Sequence, residues 1–289
     1  MVPTSPTVAR WELAIRLRQR LELLDIKVPA LCKAMGFTPA YWSHIMTGRK
    51  VFTEETMTKL LDHLEFPSDE RDEFLELRAA AKEPGRWARY STLFGEELMR
   101  LYGLEQGAHT LRLHEAVLVP AMLQSPEYMR ALMTSPYGVR SVVEADQYIE
   151  ARMLRQERLI GAQPLYLTAM LTAPVLLQSP WGEEIQLAQL RHIKQLMEDH
   201  PDTIDVRVIP LDTPECLAMS GNVYLIDFES PRLPTLAWYE NALFGQVVED
   251  PVQVRNLSFV YNNVFAAVPS RDESYAFIDK TARELASRI

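Results

Sequence analysis

Apolar residues recur at helical spacing through the first 80 residues of the chain, and this pattern predicts amphipathic helices. The first helix covers residues 10–24, and its apolar stripe consists of Leu13, Leu17, Leu21 and Leu24. Two short helices follow, then a fourth that Thr53 caps and a fifth over residues 68–82. We therefore predict an all-α domain of five helices over residues 10–81.

The pattern changes after residue 91. Four runs with alternating, β-branched or aromatic residues predict strands, and they begin at Leu165, Ile204, Asn222 and Thr235. Helical spacing predicts further helices over residues 92–102, 127–133, 142–160, 181–199, 250–267 and 272–288. These elements predict a mixed α/β (α+β) domain over residues 92–289, with a linker at 82–91 and a flexible N-terminus at 1–9.

Residues 27–50 have the pattern of a helix-turn-helix unit, in which the second helix enters the DNA major groove. The first helix of the unit ends at Gly36. Thr38 is a good N-cap for the second, and Pro39 suits its first helical position. We expect Trp42 and Ile45 to face the core, because they share one side of this helix.

Four residues of the second helix are expected to face outward, and they are Ala40, Tyr41, Ser43 and His44. Ala40 and Tyr41 suit contact with a thymine methyl group, Ser43 is a tolerant hydrogen-bonding residue, and His44 suits a phosphate or a guanine. The alternative for each of them is an ordinary exposed helix residue.

Phosphate contacts are predicted at both ends of this helix. A helix N-terminus, here at Thr38, presents free N–H groups to an anion. Arg49 and Lys50 follow the helix, where they suit neutralisation of the DNA backbone. The cluster Arg16, Arg18 and Arg20 is a weaker candidate, because a charged helix face is usually only solvated.

The charge of the chain is divided unevenly. Residues 1–53 contain eight Lys or Arg and three Asp or Glu, a balance of +5 within a total of −9, so the remainder carries −14. Such asymmetry is expected when one small domain meets nucleic acid and the rest does not.

Several other classes of protein lack support in the sequence. No apolar run reaches the roughly 20 residues that span a bilayer, and we expect a cytoplasmic protein that joins the nucleoid when it binds DNA. Cys32 and Cys216 are the only cysteines, without ligand spacing. No HExxH, GxSxG, GxGxxG or GxxxxGK[ST] motif occurs. We expect no enzyme, cofactor or metal.

The chain also resembles a known family. Residues 13–66 look like the XRE (lambda-repressor-like) helix-turn-helix class. Four downstream segments resemble the C-terminal domain of actinobacterial WhiJ-like and antitoxin-like regulators, and they are EAVLVPAMLQSPEYMRAL from Glu115, EARMLRQERL from Glu150, QLRHIKQLMEDHPDTIDVRVIPL from Gln189 and LAWYENALFG from Leu236. The resemblance implies a DNA-binding regulator, often paired with a small protein encoded nearby, and no known ligand.

The helix-turn-helix segment departs from the class pattern. Asp25-Ile26-Lys27-Val28 replaces the usual Gly-x-Ser/Thr-Gln, which removes a glutamine that contacts phosphate in the class. Pro39 and Ala40 stand where polar readers are common, Trp42 replaces a smaller aliphatic residue, and Met46 stands where an acid is typical. The resemblance therefore implies a retained scaffold with an altered readout.

Three functional hypotheses follow. The first is a sequence-specific transcriptional regulator that binds double-stranded DNA as a homodimer, since one helix-turn-helix reads only a few base pairs. The second is an antitoxin-like interaction module with weak DNA binding, motivated by Pro39-Ala40 and the acidic second domain. The third is a regulator whose second domain senses a small molecule.

Polar residues of the second domain allow two interpretations. Arg152, Arg155, Gln156 and Arg158 fit either an anion or partner site or surface ion pairs, such as one between Glu150 and Arg158. We favour the structural interpretation. Glu240 suits the lining of a pocket, whereas Trp238 and Tyr239 are expected in the core.

Overall fold

The computed structural model describes residues 5–135, 142–219, 221–241 and 245–289. The N-terminal part is helical, with α1 (Pro6–Leu23), α2 (Val28–Met35), α3 (Pro39–Met46), α4 (Glu54–His63) and α5 (Ser68–Lys82). The apolar stripes of these helices meet in one core around four fully buried side chains, Leu17, Leu31, Met57 and Phe74. The helical N-terminal domain is confirmed.

The C-terminal part alternates helices and strands. Its helices are α6 (Glu96–Gln106), α7 (Pro126–Thr134), α8 (Val142–Ile160), α9 (Ala173–Leu177), α10 (Glu183–Asp199), α11 (Glu215–Ala218), α12 (Pro251–Ala267) and α13 (Arg271–Ala286). Its strands are β1 (Thr110–Glu115), β2 (Tyr166–Thr172), β3 (Ile204–Ile209), β4 (Asn222–Asp227), β5 (Leu236–Glu240) and β6 (Gly245–Val248). The expected α+β layout is confirmed.

The strands form one mixed sheet in the order β3-β2-β1-β4-β5-β6. β1, β2 and β3 are parallel, and β4 turns the sheet antiparallel by pairing with β1. Leu113 of β1 lies between Ala169 of β2 and Tyr224 of β4. One face packs in the larger core with Leu190, Ile193 and Ile278 of α10 and α13. The other is covered by α12 through Val254, Tyr261 and Val264.

Two strands and two short helices were not predicted. β1 contains Arg112 and His114 on a face that α12 covers, and both are paired within the protein. Arg112 forms an ion pair with Asp227 at 2.8 Å, and the Nδ1 atom of His114 lies 2.9 Å from the carbonyl oxygen of Gly221. Because these two polar residues are not typical of a buried strand, the sequence pattern did not indicate β1, which is covered on both faces. β6, α9 and α11 are only four or five residues long.

Residues 5–9 of the predicted flexible N-terminus and the predicted linker at 82–91 pack against the second domain, whereas residues 1–4 lie outside the described residues. α1 begins at Pro6, four residues before the predicted start, and the Ser5 hydroxyl donates a hydrogen bond to the carbonyl oxygen of Gly103. Trp87 and Tyr90, within the 82–91 segment, are each 4% exposed and belong to the larger core. Aromatic burial thus holds the 82–91 segment in the core, and the Ser5 hydrogen bond holds the start of α1. The division into domains at residues 81 and 92 stays a prediction.

Helix α1 joins the two parts of the molecule. Its Leu17 lies in the N-terminal core, whereas its Trp11 lies in the larger core, with its ring 5.1 Å from that of Phe228. The indole N–H of Trp11 donates to Glu249 at 3.3 Å. Within the described part of the chain, no helix is both long enough and apolar enough to cross a membrane.

Candidate nucleic-acid interface

The turn between α2 and α3 is built as the sequence predicts. Gly36 ends α2 with φ of 67°, a left-handed conformation that favours glycine, and the N–H of Phe37 donates to the carbonyl oxygen of Cys32 at 2.8 Å. The Thr38 hydroxyl then accepts a hydrogen bond from the Tyr41 N–H at 3.1 Å. This cap and Pro39 fix the residue at which α3 begins.

The inner face of α3 is held by aromatic packing. Trp42 and Ile45 are 5% and 6% exposed, so their predicted burial is confirmed. Phe37, Trp42 and Phe52 form a cluster in which the rings of Phe37 and Phe52 lie 5.6 Å apart. Tyr41 meets Phe52 edge-on at 5.8 Å and is half-buried. Burial raises the pKa of Tyr41, which keeps its hydroxyl neutral.

The outer face of α3 carries the residues predicted to contact DNA. Thr38, Ala40 and Ser43 are exposed, and His44 is half-buried beside them. Tyr41 lies at the edge of this face, because part of its ring belongs to the aromatic cluster. The outer face of α3 thus consists of polar side chains and the methyl group of Ala40, and its role in DNA contact stays a prediction.

Arg49 and Lys50 are anchored to the end of α3. Both backbone N–H groups donate to the carbonyl oxygen of His44, at 2.8 and 3.0 Å. Both side chains are exposed, and the Lys50 ammonium lies 5.9 Å from the centre of the Tyr41 ring. These two cations therefore flank the outer face of α3. Arg49 also forms an ion pair at 3.4 Å with Glu96 of α6.

The arginines of α1, the weaker candidates for DNA contact, have partners inside the protein. Arg16 is buried and forms ion pairs with Glu70 and Glu73 of α5, each at 2.9 Å. Arg20 donates to the carbonyl oxygens of Leu64 and Glu65. These contacts were not predictable from spacing, since the partners lie 44 to 57 residues away in the chain.

The arginines of α8 are also held by the protein. Arg155 forms two hydrogen bonds with the Glu105 carboxylate, at 2.8 and 2.7 Å, and both side chains are buried. Arg158 donates to the carbonyl oxygen of Ala108 at 2.8 Å. The structural interpretation is therefore supported, but the expected pairing of Glu150 with Arg158 is wrong. Glu150 pairs with Arg89 at 3.0 Å, because Arg158 faces the core.

Three of the four segments that carry the family resemblance meet around residues 119–125. Gln156 donates to the carbonyl oxygens of Ala121 and Gln124, each at 2.8 Å, and Arg152 donates to the Gln124 side chain. Gln189 accepts from the Ser125 N–H at 2.7 Å and donates to the carbonyl oxygen of Leu123 at the same distance. These contacts join α8 and α10 to the segment that follows β1.

Glu115, which the sequence analysis did not single out, is the most perturbed carboxyl of this region. It ends β1, is 3% exposed, and its Oε1 atom accepts a hydrogen bond from the Tyr224 hydroxyl at 2.8 Å. Among the described residues its Oε2 atom has no hydrogen-bond partner. Burial, with a smaller contribution from nearby Glu240, raises the pKa of Glu115 to about 8 against the opposing effect of the Tyr224 hydrogen bond. The carboxyl is therefore mostly protonated at pH 7.

Glu240 lies at the same end of the sheet as Glu115. Its side chain is half-buried and accepts a hydrogen bond from the Trp238 indole N–H at 2.9 Å. Trp238 is 2% exposed, so its predicted burial is confirmed, whereas Tyr239 is half-buried. In the ranges that the structure describes, no group of three or more His, Cys, Asp or Glu residues is arranged to hold a metal ion.

Two family models match the chain. A family model described as a helix-turn-helix domain matches residues 12–74, which include α2 and α3. A second model, described as a domain of unknown function (DUF5753), matches residues 98–280, more than half of the chain. The chain belongs to the DUF5753 family. No curated protein and no solved structure matches it.

The two matches identify the kind of domain at each end of the chain. The predicted helix-turn-helix domain is confirmed, and it is the class of domain with which regulators bind DNA. The DUF5753 region spans all six strands and contains the Glu115 carboxyl. Its description assigns no activity or ligand.

Proposed function

We propose that this DUF5753 protein is a sequence-specific DNA-binding transcriptional regulator of the XRE (lambda-repressor-like) class. The observation that carries the proposal is the division of α3 into two faces. Trp42 and Ile45 lock the inner face, and Thr38, Ala40 and Ser43 remain exposed on the outer face. Insertion of that outer face into the major groove places small polar groups against base edges.

Phosphate contacts complete the proposed binding mode. Arg49 and Lys50, which follow α3, neutralise backbone phosphates at one end of the helix. At its other end, the positive N-terminus of α3 attracts a phosphate, although Pro39 has no N–H and the Tyr41 N–H already donates to Thr38. The basic balance of residues 1–53 supports this arrangement. The role is non-catalytic in this proposal, and its place is the bacterial cytoplasm, at the nucleoid.

The proposal is tested by fluorescence anisotropy of the full-length protein on duplex DNA from the region upstream of its own gene, with scrambled DNA as the comparison. We expect tighter binding to the upstream DNA and a linear fall of log affinity with log salt concentration. Arg49→Ala with Lys50→Ala should weaken binding to both DNAs and reduce the salt slope by about two. Equal, weak binding to both DNAs would favour the antitoxin-like interaction module.

We further propose that the protein binds DNA as a homodimer. A single helix-turn-helix reads only a few base pairs, and two copies would contact half-sites about 34 Å apart. Light scattering of the protein, free and on its operator, measures the mass directly. A mass of one chain in both states would contradict the dimer. A small protein partner encoded nearby also stays a prediction, which co-purification tests.

A second candidate function is the sensing of a small molecule by the DUF5753 region. The observation that favours it is the buried Oε2 atom of Glu115, which lacks a hydrogen-bond partner among the described residues. A buried polar atom without a partner is costly, and a bound ligand would supply one. Thermal-shift screening of a metabolite library tests this candidate, since a ligand that binds the folded state raises the melting temperature. The shift should disappear in Glu115→Leu.

A further inference from the structure

The second domain places an acidic residue beside the candidate DNA surface. Glu96 is the first residue of α6, and its Oε2 atom lies 3.4 Å from the Nη2 atom of Arg49. The Glu96 side chain is 88% exposed and that of Arg49 64% exposed. The ion pair is therefore formed at the surface, where a DNA backbone approaching Arg49 also meets Glu96.

The backbone that carries Glu96 is fixed against the helix-turn-helix domain. α6 packs on α1 at Gly103, where an added Cβ atom would lie 2.1 Å from the Thr7 hydroxyl oxygen. This approach requires glycine, and the Ser5 hydroxyl donates to the carbonyl oxygen of the same residue. Next to Glu96, the Glu97 carboxylate accepts a hydrogen bond from the Val247 N–H at 3.2 Å. Glu96 thus extends from a firmly packed helix end.

Arg49 is equally well placed on its side of the pair. Its N–H donates to the carbonyl oxygen of His44 at 2.8 Å, so its backbone is tied to the last turn of α3. A phosphate bound by Arg49 must either share the guanidinium with the Glu96 carboxylate or displace that carboxylate. Two negative groups near one arginine repel each other, and the repulsion is largest at low salt.

We propose that Glu96 restrains DNA binding by competing with a backbone phosphate for Arg49. The inference rests on the proposed DNA-binding function and adds a regulatory contact between the start of α6, just before the DUF5753 match, and that site. Any change that moves the start of α6 away from Arg49 releases the arginine for phosphate. The second domain thereby acts on DNA affinity through charge, without contacting a base.

The test is a double-mutant cycle by fluorescence anisotropy, with the full-length chain on one 25-base-pair duplex at low salt. Glu96→Gln removes the charge and keeps the shape of the side chain. We expect it to tighten binding about twofold to fivefold, the range that a surface ion pair is worth. In an Arg49→Ala background the same change should have little effect. Glu150→Gln is the matched control, since Glu150 is an exposed acid of α8 paired with Arg89.

Each outcome separates the inference from the proposed function. Tighter binding by Glu96→Gln alone, lost without Arg49, supports the restraint. Equal tightening by Glu150→Gln, or an unchanged dissociation constant for Glu96→Gln while Arg49→Ala weakens binding, overturns the restraint and leaves the DNA-binding function intact. Failure of the unaltered protein and of all variants to bind DNA overturns the proposed function itself.

Discussion

The Nη2 atom of Arg18 donates a hydrogen bond of 3.0 Å to the carbonyl oxygen of Met46, the last residue of α3. Carbonyl groups in the last turn of a helix lack partners within the helix, and a positive charge there also interacts favourably with the helix dipole. Arg18, a candidate for phosphate contact on charge alone, therefore ties α1 to the end of the candidate recognition helix.

Arg18→Ala should weaken DNA binding without changing its dependence on salt. Loss of the contact leaves the end of α3 less well positioned, and we expect affinity to fall about threefold, equivalent to roughly 0.6 kcal/mol. Anisotropy titrations at several salt concentrations measure both quantities, with Arg49→Ala as the comparison. A fall of about one in the salt slope of Arg18→Ala would instead show that Arg18 binds phosphate.

Removal of one partner from the buried pair of Arg155 and Glu105 should lower the free energy of unfolding strongly. Glu105→Gln leaves the Arg155 guanidinium buried without its carboxylate, and we expect a loss of about 3 kcal/mol in the free energy of unfolding. Urea denaturation measures the loss. Replacement of both residues, Arg155→Met with Glu105→Leu, should recover most of it, because no buried charge remains.

Glu115→Gln should stabilise the protein increasingly as pH rises from about 4.5 to about 8. The unfolded carboxyl ionises near its ordinary pKa of 4.5, whereas the folded carboxyl has a pKa of about 8 and stays protonated through this window. The folded state of the unaltered protein therefore loses up to about 1.4 kcal/mol per pH unit relative to the variant. Below pH 4.5 both states are protonated, and the stability difference between the two proteins should no longer change with pH.

Urea titrations of both proteins at a series of pH values check this expectation. Glu240→Gln is the control, because Glu240 is half-buried and raises the pKa of Glu115. In a Glu240→Gln background, the pH-dependent stability difference caused by Glu115→Gln should become smaller but should remain. A stability difference between Glu115→Gln and the unaltered protein that stays constant from pH 4.5 to 8 would contradict a protonated Glu115.

Trp11→Ala should destabilise the protein by about 3 kcal/mol, because the indole ring is 8% exposed and packs on Phe228. The same change removes the hydrogen bond to Glu249 and with it a tie between α1 and the sheet region. Trp11→Phe keeps most of the apolar contact and should cost much less. Urea denaturation followed by circular dichroism measures both variants, and equal losses would show that packing contributes little.

The helix-turn-helix unit was predictable because its determinants are local. Gly36, Thr38 and Pro39 act within one turn of the chain, and the inward spacing of Trp42 and Ile45 identifies the buried face. The four predicted strands also follow from local alternation, since each begins in the structure within one residue of its predicted start.

The remaining features depend on partners that are distant in the chain. Arg155 meets Glu105 across 50 residues, and Glu115 meets Tyr224 across 109. β1 was missed because Arg112 and His114 look like surface residues until Asp227 and Gly221 are brought to them. The pair of Arg49 and Glu96 depends on the packing of α6 against α1, which no local pattern indicates.

The central claim, that the outer face of α3 reads DNA sequence, is tested most directly by the ratio of affinities for upstream and scrambled DNA. We would measure this ratio by anisotropy for the unaltered protein and for Ser43→Ala with His44→Ala. We predict that the double variant loses most of the discrimination while its affinity for scrambled DNA changes little. Contacts to bases determine sequence specificity, whereas contacts to phosphates position the protein on any duplex. A ratio of one for the unaltered protein, or a ratio that the double variant preserves, would contradict the claim.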